Sequence, residues 1–364
     1  MINRTMFAGR IPFPFFFIGI SFACLLPGCS WAMLGATSVD APLKAVGGNG
    51  MVFTLDQQRP NLSGDQIASA SLKQLAAFYA PIIVQQFKEM SEEGYAYPHD
   101  SDLIGRPYLT PTKNGVPLAN IDVVQPTMYA IYENRQVAGR PHTQLTYTAW
   151  YPRHPRTKRF DIEPGHIDSG VIRITLDDLN RPMLYETVLA CGCYHKVFVE
   201  RRIENATAAH YGLPEDGKEY SISKNIPMGF DFEVAGIVDT PYDQPTPPVV
   251  FISSGEHKVL GLHSSAQFQF PIEKKQLQGY RLADYQELTS LPYGTGGETH
   301  SMFNPDNDQQ IYGADRMERY IFWVTGTDDA GHPRRNDQIL LHFDQAKWMD
   351  PALFNKYLRL PPGF

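Results

Sequence analysis

Four cysteines occur in 364 residues, and they fall in two places: Cys24 and Cys29 near the start, and Cys191-Gly192-Cys193 far along the chain. So few thiols cannot staple a domain of this size, so the fold has to be held by an ordinary apolar core. Composition permits one, with 43% hydrophobic and 12% aromatic residues. From about residue 120 the pattern is β: Leu145–Tyr151, Val171–Leu176, Met183–Leu189, Tyr194–Val199, Pro248–Ser253, Tyr320–Val324 and Gln338–Phe343 are short runs rich in β-branched and aromatic residues. Clusters of Pro, Gly and Asn separate them, and Asp178 to Pro182 reads as a turn between two strands. The expected fold is mainly β (α+β), an antiparallel β-sandwich with flanking helices.

An N-terminal amphipathic helix pair is also expected. Ser71 with Gln74 makes a capping box, and Leu72, Leu75, Tyr79, Ile82, Ile83, Phe87 and Met90 recur at helical spacing, with Pro81 splitting the run. These helices would open a single β-rich globular domain over 61–364. Residues 30–60 read as a flexible tether, because Gly35, Gly47, Gly48 and Gly50 interrupt any periodicity.

Residues 1–29 read as an export signal. Arg4 and Arg10 precede an apolar run from Ile11 to Leu26, and the small-residue exit Pro27-Gly28-Cys29-Ser30 follows. Leu26-Pro27-Gly28-Cys29 resembles the lipobox of bacterial lipoproteins. The resemblance implies acylation of Cys29, attachment to a membrane through that lipid, and a periplasmic or cell-envelope location. Ser30 stands where an aspartate would favour inner-membrane retention, which implies the outer membrane. Plain secretion after Ser30-Trp31-Ala32 is the alternative. Net charge is −7 and basic residues are scattered, which argues against a nucleic-acid partner. Arg153 to Arg159, bracketed by Pro152 and Pro155, reads as a solvated loop, with an anionic-ligand role as the alternative.

Three polar clusters sit at strand edges. His166 and Asp168 precede the run at Val171, two residues apart, so in extended chain they project to one side. Cys191, Cys193 and His195 alternate in the same way, but a single ion could gather both sulfurs only if Gly192 bends the chain. Glu256 and His257 follow the apolar run ending at Ile252. The expectation is that His166, Asp168, His195 and His257, joined by Cys191, Cys193 or Glu256, meet in one site for a divalent transition metal. Zinc, copper or iron suits such a mixed donor set better than calcium. A strained Cys191–Cys193 disulfide, or simple packing of the thiols, stays open beside it. Gly296 to His300 and Asn304 to Asp308 read as turns.

The order of these stretches resembles a group of β-sandwich proteins that includes the vacuolar protein sorting-associated family and, more distantly, the necrosis- and ethylene-inducing-like proteins. The resemblance rests on His166-Ile167-Asp168 before Val171 to Asp177, on Val188 to His195, on Pro248 to His257, and on Tyr79-Ala80-Pro81. Ser169 and Gly170 stand where the family motif has Trp and Glu. It implies a sandwich with a polar, divalent-metal pocket at one end and carries no reaction with it. The functional expectation is an exported, lipid-anchored envelope protein with a metal site of the kind that supports metal-dependent hydrolysis. The alternatives are an envelope lipoprotein that binds a glycan, lipid or partner protein without catalysis, and a thiol-redox protein using Cys191 and Cys193.

Overall fold

The computed structural model describes residues 50–226, 232–267, 277–322, 331–341 and 346–364. The stretch expected to be an export signal, with Cys29, and most of the expected tether lie outside them. Thirteen strands carry the architecture: β1 (Gly50–Leu55), β2 (Ile82–Gln86), β3 (Arg106–Pro111), β4 (Pro117–Asp122), β5 (Thr127–Val137), β6 (Arg140–His154), β7 (Gly165–Leu176), β8 (Pro182–Val188), β9 (His195–Glu200), β10 (Phe232–Val238), β11 (Pro248–Ile252), β12 (Val259–Ser264) and β13 (Leu277–Asp284). β3 and β4 form a separate hairpin. The other eleven make one sheet in the order β10-β9-β8-β7-β6-β5-β13-β1-β2-β11-β12.

This is a mainly β fold, but its strands do not divide into two facing sheets as a sandwich requires. β5 to β9 form an antiparallel meander, while β13 lies parallel to both β5 and β1, and β11 lies parallel to β2. Strands distant in sequence therefore extend one mixed sheet instead of starting a second. The sheet curls until its edges nearly meet. Val238 of β10 and Val259 and Leu262 of β12 join one inner cluster with Phe53, Tyr147, Ile172 and Tyr280. Across the same gap the Lys196 ammonium donates to the Val259 carbonyl at 3.0 Å.

β6 and β7 are buried along most of their length on both faces, so they read as nearly continuous apolar runs. Leu145, Tyr147, Ala149 and Tyr151 face the inner cluster. Trp150 and Val171 face an outer one, covered by Trp348, Leu353, Phe354 and Tyr357 of the C-terminal segment. Burial of each such side chain contributes about 1.5–3 kcal/mol.

Several local expectations change. The capping box at Ser71 is present and starts a helix at Leu72–Phe78, preceded by a shorter helix at Gly64–Ala68. Beyond Pro81 the chain is strand β2 and not a second helix, because Ile82 to Gln86 pair with both β1 and β11. The tether ends earlier than expected, since β1 lies between β13 and β2. Tyr320 belongs to a helical turn, Glu318–Phe322, not to a strand. Asn336–Gln338 is a 3-10 turn, with only an isolated bridge at Leu340, where a strand was expected. Among the described residues no helix is long and apolar enough to cross a membrane.

Candidate metal centre

The β6–β7 hairpin delivers two groups to one end of the inner face. Tyr151 pairs with Asp168 and Arg153 with His166 across the ladder. The strict alternation of side chains then breaks, at Pro152 on one strand and opposite it at Ile167, whose backbone is left-handed (φ 56°). His154 consequently turns inward beside Tyr151, and its Nδ1 lies 2.9 Å from Asp168 Oδ2. His166 goes the other way, its Nε2 lying 2.6 Å from the Ala119 carbonyl of β4. Arg316 reaches the same turn and donates to the carbonyls of His166 and Ile167. It can do so because residue 165 is glycine: a Cβ there would lie 1.9 Å from the guanidinium.

The turn between β11 and β12 brings the third group. His257 has a left-handed backbone (φ 51°) and a ring stacked on Tyr151, with centroids 3.8 Å apart and planes 8° from parallel. Asp102 holds this turn by accepting from Ser254 Oγ (2.5 Å) and the Gly255 amide (2.7 Å). Tyr151, kept neutral by burial, donates to Gln85 Oε1 at 3.0 Å and locks the stacking partner.

The result is a closed trio. His257 Nδ1 lies 2.8 Å from Asp168 Oδ2, the same oxygen that serves His154. Liganding atoms of His154, Asp168 and His257 all lie within 4.8 Å of one another, and all three residues are buried. On its far side His257 Nε2 faces the Ser101 carbonyl at 3.0 Å and Asp102 Oδ1 at 3.3 Å. His154 Nε2 is buried and finds no hydrogen-bond partner among the described residues, lying 3.6 Å from Glu163 Oε2.

Among the described residues, the polar atoms within hydrogen-bonding reach of the His257 nitrogens are all acceptors, so its ring offers two donors or holds a cation on one side. Burial alone would depress its pKa, but hydrogen bonds to the Asp102 and Asp168 carboxylates reverse this and raise it to about 9. Asp168 is likewise held well below the usual carboxylate range, against burial, by its bonds to His154 and His257. The wider surroundings are acidic. Glu318 is buried, and burial followed by the neighbouring Glu163 carboxylate pushes its pKa up to about 8. The Arg316 guanidinium stands 4.0 Å from Asp168 Oδ1.

Of the residues expected to share a site, Asp168 and His257 meet. His166, Cys191, Cys193, His195 and Glu256 do not join the group of mutually close donors. His195 lies among Glu186 and Arg173, with Nε2 3.1 Å from Glu186 Oε1. Glu256 pairs with Lys258 at 3.0 Å. His166 and Asp168 part company because Ile167 is not extended. His154 was hidden within a Pro-bracketed basic stretch. Its only sequence signal is its place at the end of the apolar run Leu145–Tyr151, opposite the His166–Asp168 turn.

Comparison with protein-family models, with curated proteins and with solved structures gives no match, so the chemistry of this chain is argued from its own residues.

Proposed function

We propose that this chain is a metal-binding protein of the cell envelope, with His154, Asp168 and His257 as the ligands of one divalent transition metal. One observation carries the reading. Two imidazoles turn the same nitrogen, Nδ1, toward one carboxylate oxygen, while their outer nitrogens face only acceptors. Acceptors on the outside favour the Nε2–H tautomer and leave lone pairs inside, which is how second-shell groups prepare histidines for metal. The two inner nitrogens and the negative carboxylate oxygen then form a donor set that a cation fits.

The present separations of 2.8–2.9 Å are hydrogen-bond lengths. Ligands on one tetrahedral zinc stand about 3.4 Å apart, so loading requires the trio to open by about 0.5 Å. Two nitrogens and a carboxylate suit zinc, iron or copper. The export signal and lipobox-like segment supply the envelope location, with attachment through Cys29.

Hydrolysis is the second reading. Three protein ligands leave a fourth position at which zinc activates water. Burial of the ligands at 0–4% exposure favours a metal that organises the surrounding loops. Elemental analysis of the purified full chain tests the primary reading. About one ion per chain is expected, lost in His257→Ala while the circular dichroism of the sheet persists. Metal-free wild-type protein that also fails to take up zinc, iron or copper would refute it. Release of product from a panel of ester and phosphoester substrates by loaded protein, absent in His154→Ala, would establish the second reading.

A further inference from the structure

The metal centre leaves Cys191 and Cys193 unused, and their local geometry has its own chemistry. The Leu189 amide donates to the Cys193 carbonyl at 3.0 Å and the Gly192 amide to the Leu189 carbonyl at 2.8 Å, closing a tight turn after β8. Gly192 makes this turn possible. Its backbone is left-handed (φ 92°), and a Cβ there would lie 1.8 Å from the Leu340 carbonyl oxygen. The turn folds the two side chains back on each other, and the thiols are hydrogen-bonded together. No disulfide joins them in this structure. Cys193 is buried with Leu189 and Tyr194, whereas Cys191 is only partly covered.

We propose that Cys191 and Cys193 are a reversible dithiol–disulfide couple that exchanges with small disulfides of the glutathione type. Cys191, the less enclosed of the two residues, is the entry point once its turn opens to expose the sulfur. Its thiolate attacks one sulfur of the incoming disulfide, forming a mixed disulfide and releasing one thiolate. The Cys193 thiolate then attacks Cys191 Sγ, forming the internal bond and expelling the second thiolate. The two thiol protons pass to the two released thiolates. One protein dithiol is oxidised and one disulfide is reduced to two thiols, so electrons and atoms balance.

The surroundings set the pace. The hydrogen bond from Cys193 favours the Cys191 thiolate, but burial of the sulfur and the carboxylates of Glu318 and Asp168 outweigh it and raise the pKa. Exchange is therefore slow near neutrality and quickens as pH rises, because only the thiolate attacks. A ring this small disfavours an inert structural bond and favours one that is readily reduced again.

The test incubates the full chain with oxidised glutathione, blocks residual thiols by alkylation, and maps the cysteines by peptide mass spectrometry. The expected result is an internal 191–193 bond, reversed by reduced glutathione and formed at least tenfold faster at pH 9 than at pH 7. Cys193→Ser should stall at a mixed disulfide on Cys191. Alkylation of both residues after prolonged exposure to oxidised glutathione would overturn the proposal. So would bonding of either residue to a second chain or to Cys24 or Cys29. Because zinc content is not the readout, failure here leaves the metal reading untouched, and the reverse also holds.

Discussion

Two buried ionic trios lie on opposite faces of the same β6–β9 meander, and they differ in one respect. On the outer face, Arg173 grips Glu186 through two bonds of 2.6 and 2.7 Å, stacks 3.9 Å from the Trp348 ring, and donates to the Trp348 carbonyl. His195 merely joins this pair. The permanent cation holds the Glu186 carboxyl below its usual range against burial. On the inner face, among the described residues, Asp168 touches its two imidazoles while the nearest guanidinium, Arg316, stands off at 4.0 Å. An imidazole can exchange a proton for a metal; a guanidinium cannot. On the proposed reading, residue types alone do not distinguish the two trios, and the decisive difference is whether the counter-charge is built into the chain.

The sharpest break of this comparison is Arg173→Met. It strands a buried carboxylate on the outer face and should cost about 3–5 kcal/mol in urea unfolding, with metal content unchanged. Loss of metal in this variant would mean that the two trios are not independent. Asp168→Asn acts on the inner trio and should weaken zinc binding at least about a hundredfold in chelator competition, because it removes the charge both rings share. An unchanged affinity would move the metal elsewhere.

Glu318 tests the acidic surroundings. Its pKa is raised in the fold to about 8, chiefly by burial. Below the ordinary carboxyl range both folded and unfolded chains hold the proton, and stability is unaffected. As pH climbs from there toward 8 the unfolded chain gives up a proton that the fold retains, so stability declines. Glu318→Gln should flatten this decline, a gain of about 3 kcal/mol at pH 8 relative to pH 5 by urea unfolding. A parallel pH profile for the variant would show that Glu318 is not the group concerned. The smallest effect is expected from Asp102→Asn, which loosens the turn bearing His257 and should weaken zinc affinity about tenfold while leaving the outer trio unaffected.

Much of the fold was legible because strand-forming runs are local. β6, β7, β8, β9 and β11 lie where β-branched and aromatic residues concentrate, and the turn at Asn180 joins β7 to β8 as its composition implies. The mixed sheet was not legible. Pairing of β1 with β13 brings together residues more than two hundred positions apart, and no local pattern records it. Ile82 to Gln86 fit a helical stripe as readily as a strand, and tertiary pairing decided between them. Two of the three residues of the candidate trio were readable, since Asp168 and His257 stand at strand ends beside polar turns. His154 was not, because its inward turn depends on a break in alternation at Pro152 and Ile167. The Cys191 and Cys193 motif was conspicuous in sequence, yet its sulfurs lie outside the group of mutually close metal donors.

The central claim is that nitrogen and oxygen, not sulfur, hold a metal in this chain. X-ray absorption at the zinc edge of zinc-loaded protein measures this directly. The expected spectrum has nitrogen and oxygen neighbours at about 2.0–2.2 Å with the outer-shell signature of two imidazoles. A dominant sulfur shell at about 2.3 Å, or a spectrum unchanged in Asp168→Asn, would contradict it.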